Sequence, residues 1–256
     1  KIPGKTISYS IPEEVRNLHD TNVKLDPEQA GIDGESMGLA RPGLLTANDQ
    51  RFIKYHWETQ DFDLYKMIAK GGADAWIVPQ VYHVFPWNQN GAEIKRSSSG
   101  VRIPNEELYG NSGLIWTLIK ETGRRFGYCP PGRFFSKTGY MYIPHDKDSV
   151  WPMMAVLNSD LYHAIFLSIT PERDWNAGEV GSLPWYKSIN NNAELGEMAK
   201  KQYEIMMNTK VSDATNPYYI SPLIHPDADS LPYFYENPYQ DDIDDYVNVD
   251  TDVSIE

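Results

Sequence analysis

Apolar residues along the chain fall into short alternating runs and helical stripes separated by turn residues, a pattern that predicts a mixed α+β fold. Residues 48–58 (NDQRFIKYHWE) space Phe52 and Tyr55 as a helix does, with Trp57 or Glu58 extending the stripe and Asn48 or Asp49 able to cap it. Residues 75–82 (AWIVPQVY) are rich in Val, Ile and aromatics and predict a buried strand, Pro79 marking an edge or bulge. The stretch that follows, FPWNQNGAEIKRSSSG, is turn chemistry, in which Asn90-Gly91 and Ser99-Gly100 can supply positive backbone angles. Residues 112–119 (SGLIWTLI) are apolar and lead into a basic turn that Pro130-Pro131-Gly132 reverses. Within RFFSK the alternation sets Arg133, Phe135 and Lys137 on one face and Phe134 with Ser136 on the other. A second strand at residues 140–143 is expected to pair with it across Thr138-Gly139.

Two packed helices are expected over residues 151–169, where Asn158-Ser159-Asp160 stops one and caps the next. From residue 193 another helix carries Leu195, Met198, Gln202 and Ile205 on one stripe, with Met206 and Met207 expected at its surface. The expected organisation is a connecting arm over residues 1–45, with a short helix near residues 12–19, and a central domain over residues 46–190. A packing helix and extension (191–224) and an acidic tail (225–256) complete it. The sheet is expected to be mixed and twisted, with flanking helices and a C-terminal helix.

Charge changes the picture. The 256 residues carry a formal net charge of -13, which by itself argues against a polyanionic partner. Residues 225–256 hold ten Asp or Glu and no Lys or Arg, whereas residues 51–147 hold thirteen basic against nine acidic side chains. The middle of an acidic chain is therefore basic. No apolar run approaches the roughly 20 residues of a membrane span, and the opening residues lack the apolar core of a secretory signal, so no membrane association and a cytoplasmic location are expected. The lone Cys129 forms no internal disulfide, and no Cys/His spacing suits zinc.

The reactive patterns GxSxG, P-loop, HExxH and strand-linked GxGxxG are missing from the sequence, so no catalytic residues are expected in this chain. The six histidines are scattered, and the acidic tail lacks the glycine and terminal glutamate of an EF-hand loop. What remains is a cluster of basic and amide side chains between Lys95 and Lys137, interleaved with aromatics. Arg102 and Asn105 are of the types that read guanine and adenine edges with paired hydrogen bonds. Arg124, Arg125, Arg133 and Lys137 suit phosphates, and all are expected at the surface because charge is rarely buried unpaired. Trp116, Phe126, Phe134 and Phe135 read mostly as core. With seven Trp and seventeen Tyr, an aromatic-rich module for sugars or proteins is the competing class.

Three segments, in order, carry a resemblance. LLTANDQRFIKYHWE holds Thr46, Arg51 and Phe52 of a T-G-D-N-x-x-F pattern, with Ala47 in place of Gly and Asn48-Asp49 reversed. The second segment carries Arg102, Asn105, Tyr109, Gly113, Trp116 and Thr117, then the basic aromatic run Arg133 to Ser136. The third has Leu157, Asn158 and Ser159, followed by Gly178, Glu179, Val180, Leu183 and Pro184. Together, over residues 38–224, they resemble the C-terminal specificity region of fused adenine-specific DNA methyltransferases, the BREX phage-defence and type IIG restriction-modification enzymes. That resemblance implies a domain recognising double-stranded DNA, with Arg102, Asn105, Thr117, Lys120, Arg124, Arg125, Arg133, Ser136 and Lys137 as its contacts. It also implies a partner methyltransferase domain or subunit that binds S-adenosylmethionine, since this chain has no Asn-Pro-Pro-Tyr loop: Asn216-Pro217-Tyr218 and Asn237-Pro238-Tyr239 lack the second proline. The chain is accordingly expected to be a fragment or a separate specificity subunit.

Overall fold

The computed structural model describes residues 13–61, 63–71, 77–79, 81–97, 99–119, 125–170, 174–210, 213 and 215. Helix α1 (Glu13–Leu18) forms where a short helix was expected. It is followed by β1 (Val23–Lys24), α2 (Pro27–Ala30), β2 (Glu35–Ser36) and β3 (Gly38–Arg41). Residues 23–41, read from sequence as part of a connecting arm, are built into the fold. The agent is buried Asp26, whose carboxylate accepts from the Ala40 amide at 2.7 Å, pairs with Arg41 and caps α2 through Gln29.

Next come α3 (Asp49–Phe52), β4 (Lys54–Tyr55), β5 (Tyr65–Ala69), β6 (His83–Pro86) and α4 (Ala92–Ser97). After β7 (Gly113–Thr117), β8 (Gly127–Cys129), β9 (Phe134–Phe135) and β10 (Gly139–Pro144), the chain is helical: α5 (Val150–Leu157), α6 (Asp160–Leu167), α7 (Ala177–Gly181) and α8 (Ala193–Lys210). One four-stranded sheet has the order β3-β10-β7-β8 and is antiparallel throughout. The other, β4-β6-β5-β9, is mixed, because β9 joins β5 in parallel. A mixed α+β architecture is therefore what the residues form.

Strand alternation sorts the core into layers. Leu114 and Trp116 of β7, with Tyr140 and Tyr142 of β10, face the helices α5 to α8. Ile115, Met141 and Ile143 face the other way and meet Met67, Ala69 and Val84 of the second sheet. On that sheet's far side Ile68 and Phe85 pack with Phe52 and Ile94 from α3 and α4. The order is helices, sheet, sheet, short helices, and β10 is buried along its whole length because it has a layer on each face.

The helix pair forms as expected, with Ser159 capping α6 through the Tyr162 amide and Asn158 closing α5. Buried Asn158 also holds Phe126 at both its N–H (3.1 Å) and its carbonyl (2.9 Å), tying the helix junction to the start of β8. Trp116 and Phe126 are core, and Asn90 and Gly91 take positive φ, as the turn chemistry predicts.

Three expectations are corrected. Strands β9 and β10 form no hairpin: β9 is flanked by the backbones of Ala69 and Leu44, and Ser136 Oγ accepts from Thr138 and Gly139 to send the chain into the other sheet. Helix α8 buries Ala199, Tyr203 and Met207 instead of the Met198 stripe, because Gly196 and Ala199 let it lie close against Pro152 while Tyr203 meets the Tyr128 and Trp151 rings. Met198 is 63% exposed. A strand begins at His83, after the expected one over residues 75–82, of which 75, 76 and 80 lie outside the described residues. The expected acidic tail also lies outside them.

Two predictions follow from the packing. An added Cβ at Gly43 would overlap the Phe135 carbonyl, whereas at helical Gly178 it would meet its nearest neighbour at 3.4 Å. Gly43→Ala should therefore cost about 2–3 kcal/mol, and Gly178→Ala should be neutral or stabilising by up to about 1 kcal/mol, read from urea unfolding midpoints. Equal effects of the two changes would contradict this packing. Burial lowers the pKa of His19, His56 and His83 from 6.5. Their neutral forms are favoured in the folded state, so stability is complete above the unfolded value and is lost as pH falls below it. The midpoint should drop between about pH 7.5 and pH 5.5; a flat profile would show that these rings are not confined as described.

Candidate nucleic-acid interface

The segment after β3 organises the surface where the expected contacts converge. Leaving the first sheet at Arg41, the chain crosses to the second, where the Leu44 amide donates to Phe135 O (3.0 Å) and its carbonyl accepts from the Lys137 amide (2.9 Å). Leu45 and Arg102 exchange both backbone hydrogen bonds, at 2.8 and 3.0 Å. Ser136 and Lys137 thus flank this crossing on one side and Arg102 on the other. Asn105 joins them by donating from Nδ2 to Pro42 O at 3.1 Å. Its backbone sits at φ 55, a left-handed conformation that asparagine tolerates better than most residues.

Arg102 is exposed, and its Nη1 donates to the carbonyls of Ser99 (2.7 Å) and Val101 (2.8 Å). Lys137 is also exposed. Neither has a carboxylate within ion-pair distance among the described residues, whereas Arg51 pairs with Glu93, Lys70 with Asp49 and Lys95 with Glu106. Ser136 is buried, its hydroxyl committed to the Thr138 turn, so its position matters more than its surface.

The loop that follows the crossing is tied down by side chains. Thr46 Oγ1 donates to the Asp49 carboxylate, and Asn48 caps α3 through the Arg51 amide. Ala47 holds φ 58, at the position where the resembled pattern has glycine. Burial works to raise the Asp49 pKa, but hydrogen bonds from Lys70 and Thr46 outweigh it and hold the carboxyl below its usual range.

Two expected surface cations are inside the protein. Arg133 is 0% exposed and lies against buried Cys129: burial pushes that thiol up and the guanidinium works against it. Arg125 is 3% exposed, stacked 4.1 Å from the Trp175 ring centre, with Nη1 directed at the carbonyls of Thr117 (3.4 Å) and Leu118 (3.3 Å). The expectation that charge stays outside fails here because an aromatic face and strand-end carbonyls receive the guanidinium. Thr117 is half-buried at the end of β7, and Leu118 donates to Thr138 O, so this second group adjoins Lys137. Lys120 and Arg124 lie outside the described residues.

The sequence did not single out Lys54, Lys70, Tyr55, Trp57 and His83 as a group, although all five border this region. Tyr55 belongs to β4 and not to a helical stripe, and its ring stacks on Trp57 at 4.6 Å and 4°, and on His83 at 5.2 Å. A run of aromatic and basic residues either side of a strand end, KYHW, was the available signal. S-adenosylmethionine does not fit the described residues: Gly71, the glycine that follows β5, is packed against the Thr138 backbone and forms no open cradle.

No family model matches the chain. Over 141 residues, 54% of this chain, it is 29% identical to the adenine-specific methyltransferase BrxX of Escherichia coli O9:H4 (strain HS), covering 11% of that protein. Over 208 residues, 73% of this chain, it is 23% identical to the adenine-specific methyltransferase PglX of Lacticaseibacillus casei (strain Zhang), covering 17% of it. The chain thus spans between about a tenth and a sixth of the curated relatives it matches, and is related at a distance to adenine-specific methyltransferases.

Proposed function

We propose that this chain recognises double-stranded DNA as the specificity part of an adenine-specific DNA methyltransferase, methyl transfer taking place on a domain or subunit outside it. The observation that carries this reading is the pairing of a methyltransferase relationship with two uncompensated cations, Arg102 and Lys137, set on either side of the Leu44–Leu45 crossing. Phosphate contacts position a protein on DNA, and base-edge contacts specify the sequence. Lys137 is suited to the first role. Arg102 can swing from the Ser99 and Val101 carbonyls to a guanine edge or a phosphate, and Asn105 stands beside it to steady the crossing. Arg125 and Arg133 act from within, shaping the strand ends that carry these groups. S-adenosylmethionine would belong to the partner domain, where it supplies the methyl group.

Binding to a duplex should weaken steeply as salt rises from about 50 to 200 mM. In the Arg102→Ala, Lys137→Ala double variant, the slope of log affinity against log salt should fall by about 2, as two phosphate-type contacts are lost. Arg102→Ala alone should relax discrimination at one base pair by about 1–3 kcal/mol if it reads an edge. Fluorescence anisotropy with labelled duplexes measures all three. Salt-independent binding, or no retention of duplex at low salt, would remove the basis for this function.

A further inference from the structure

The geometry points to a second element of this surface, resting on the DNA reading above: the Trp57–Tyr55 stack is a platform for an unpaired nucleobase. The two rings are nearly coplanar in orientation, 4° apart, yet remain 47% and 45% exposed. Large aromatic faces left in water forgo burial that a partner with a flat face would restore.

The stack is held in place from below. The Tyr55 amide donates to Glu58 Oε2 at 2.6 Å, closing the short turn His56–Glu58 that presents Trp57. His56 is buried beneath it, edge-on to Trp57 at 5.0 Å, with Nε2 at 3.0 Å from Thr215 O. His83 backs the other face of the ladder from the neighbouring strand. A pre-set ring pair loses little entropy on stacking a ligand.

Charge selects the ligand class. Strands β4 and β5 are both antiparallel to β6, and β9 is parallel to β5, so all three end at the same side of the sheet. Trp57, Lys70 and Lys137 follow those ends, which places Lys70 about 10 Å and Lys137 about 15 Å from the platform at ordinary strand spacing. Lys70 is held by Asp49, but Lys137 has no carboxylate partner among the described residues. An aromatic face beside a cation on one rim suits a base attached to a phosphate backbone. A sugar would use the face without the cation.

The test uses the whole chain, a perfect duplex, and the same duplex carrying one bulged 2-aminopurine, whose fluorescence is quenched by stacking. The bulged duplex should bind about tenfold more tightly, with quenching. Trp57→Ala should abolish both the preference and the quenching while leaving perfect-duplex affinity within about twofold, and Trp57→Phe should keep most of each. Unchanged unfolding midpoints confirm that both variants fold. If bulged and perfect duplexes bind alike, or the preference survives Trp57→Ala, the platform is wrong and DNA recognition stands. If neither duplex binds at low salt, or a glycan or peptide is retained instead, both fall.

Discussion

The arrangement depends on one close approach of backbones, where Gly43 passes the Phe135 carbonyl as the chain crosses from the first sheet to the second. Only there does a missing side chain let a single segment hydrogen-bond to β9 and to Arg102 at once. The consequence is long-range: residues 44, 102 and 137, far apart in sequence, become neighbours across two strand spacings. Tertiary contacts of this kind are specified by sterics at a point and not by any periodic pattern, so the surface exists because of a residue that contributes no chemistry to it.

What could be read from the residues was mostly local. Ser159 and Asn48 have side chains that satisfy amides within three residues, so their helix starts are legible without knowing the rest of the fold. The strand pairing was not legible. RFFSKTGYMYI has the alternation and the small turn of a hairpin, but Ala69 and Leu44 compete for the edges of β9, and neither is visible from the hairpin's own residues. The stripe on α8 fails for a related reason. Met198 and Ile205 are apolar enough to be buried, yet the helix approaches α5 through Gly196 and Ala199, because small residues allow closer packing than large ones reward.

Basic residues separate into three kinds that composition cannot distinguish. Some are neutralised at the surface, as with Lys70 and Asp49 or Lys95 and Glu106, and add little field. Others are internal: Arg125 and Arg133 serve carbonyls, a ring and a thiol. The remainder, including Arg102 and Lys137, keep their charge facing water. A net charge of -13 is compatible with a polyanion partner only because such residues are gathered by the fold, and because ten of the acids fall in residues 225–256.

The buried arginines also explain why so few exposed cations can suffice. Arg125 joins the carbonyls at the end of β7 to Trp175, while the Trp175 amide donates to Leu118 O and Ile119 bridges Asp174. Both ends of the basic stretch containing Lys120 and Arg124 are thereby fixed beside Thr138, next to Lys137. A guanidinium removed from water costs several kcal/mol unless its protons are received, so its place here has to be specified by the surrounding carbonyls and ring. That requirement turns a charge which could have touched a phosphate directly into a brace for its neighbours. Rigid presentation then lowers the entropy lost when a partner docks, and a small set of contacts gains more from each.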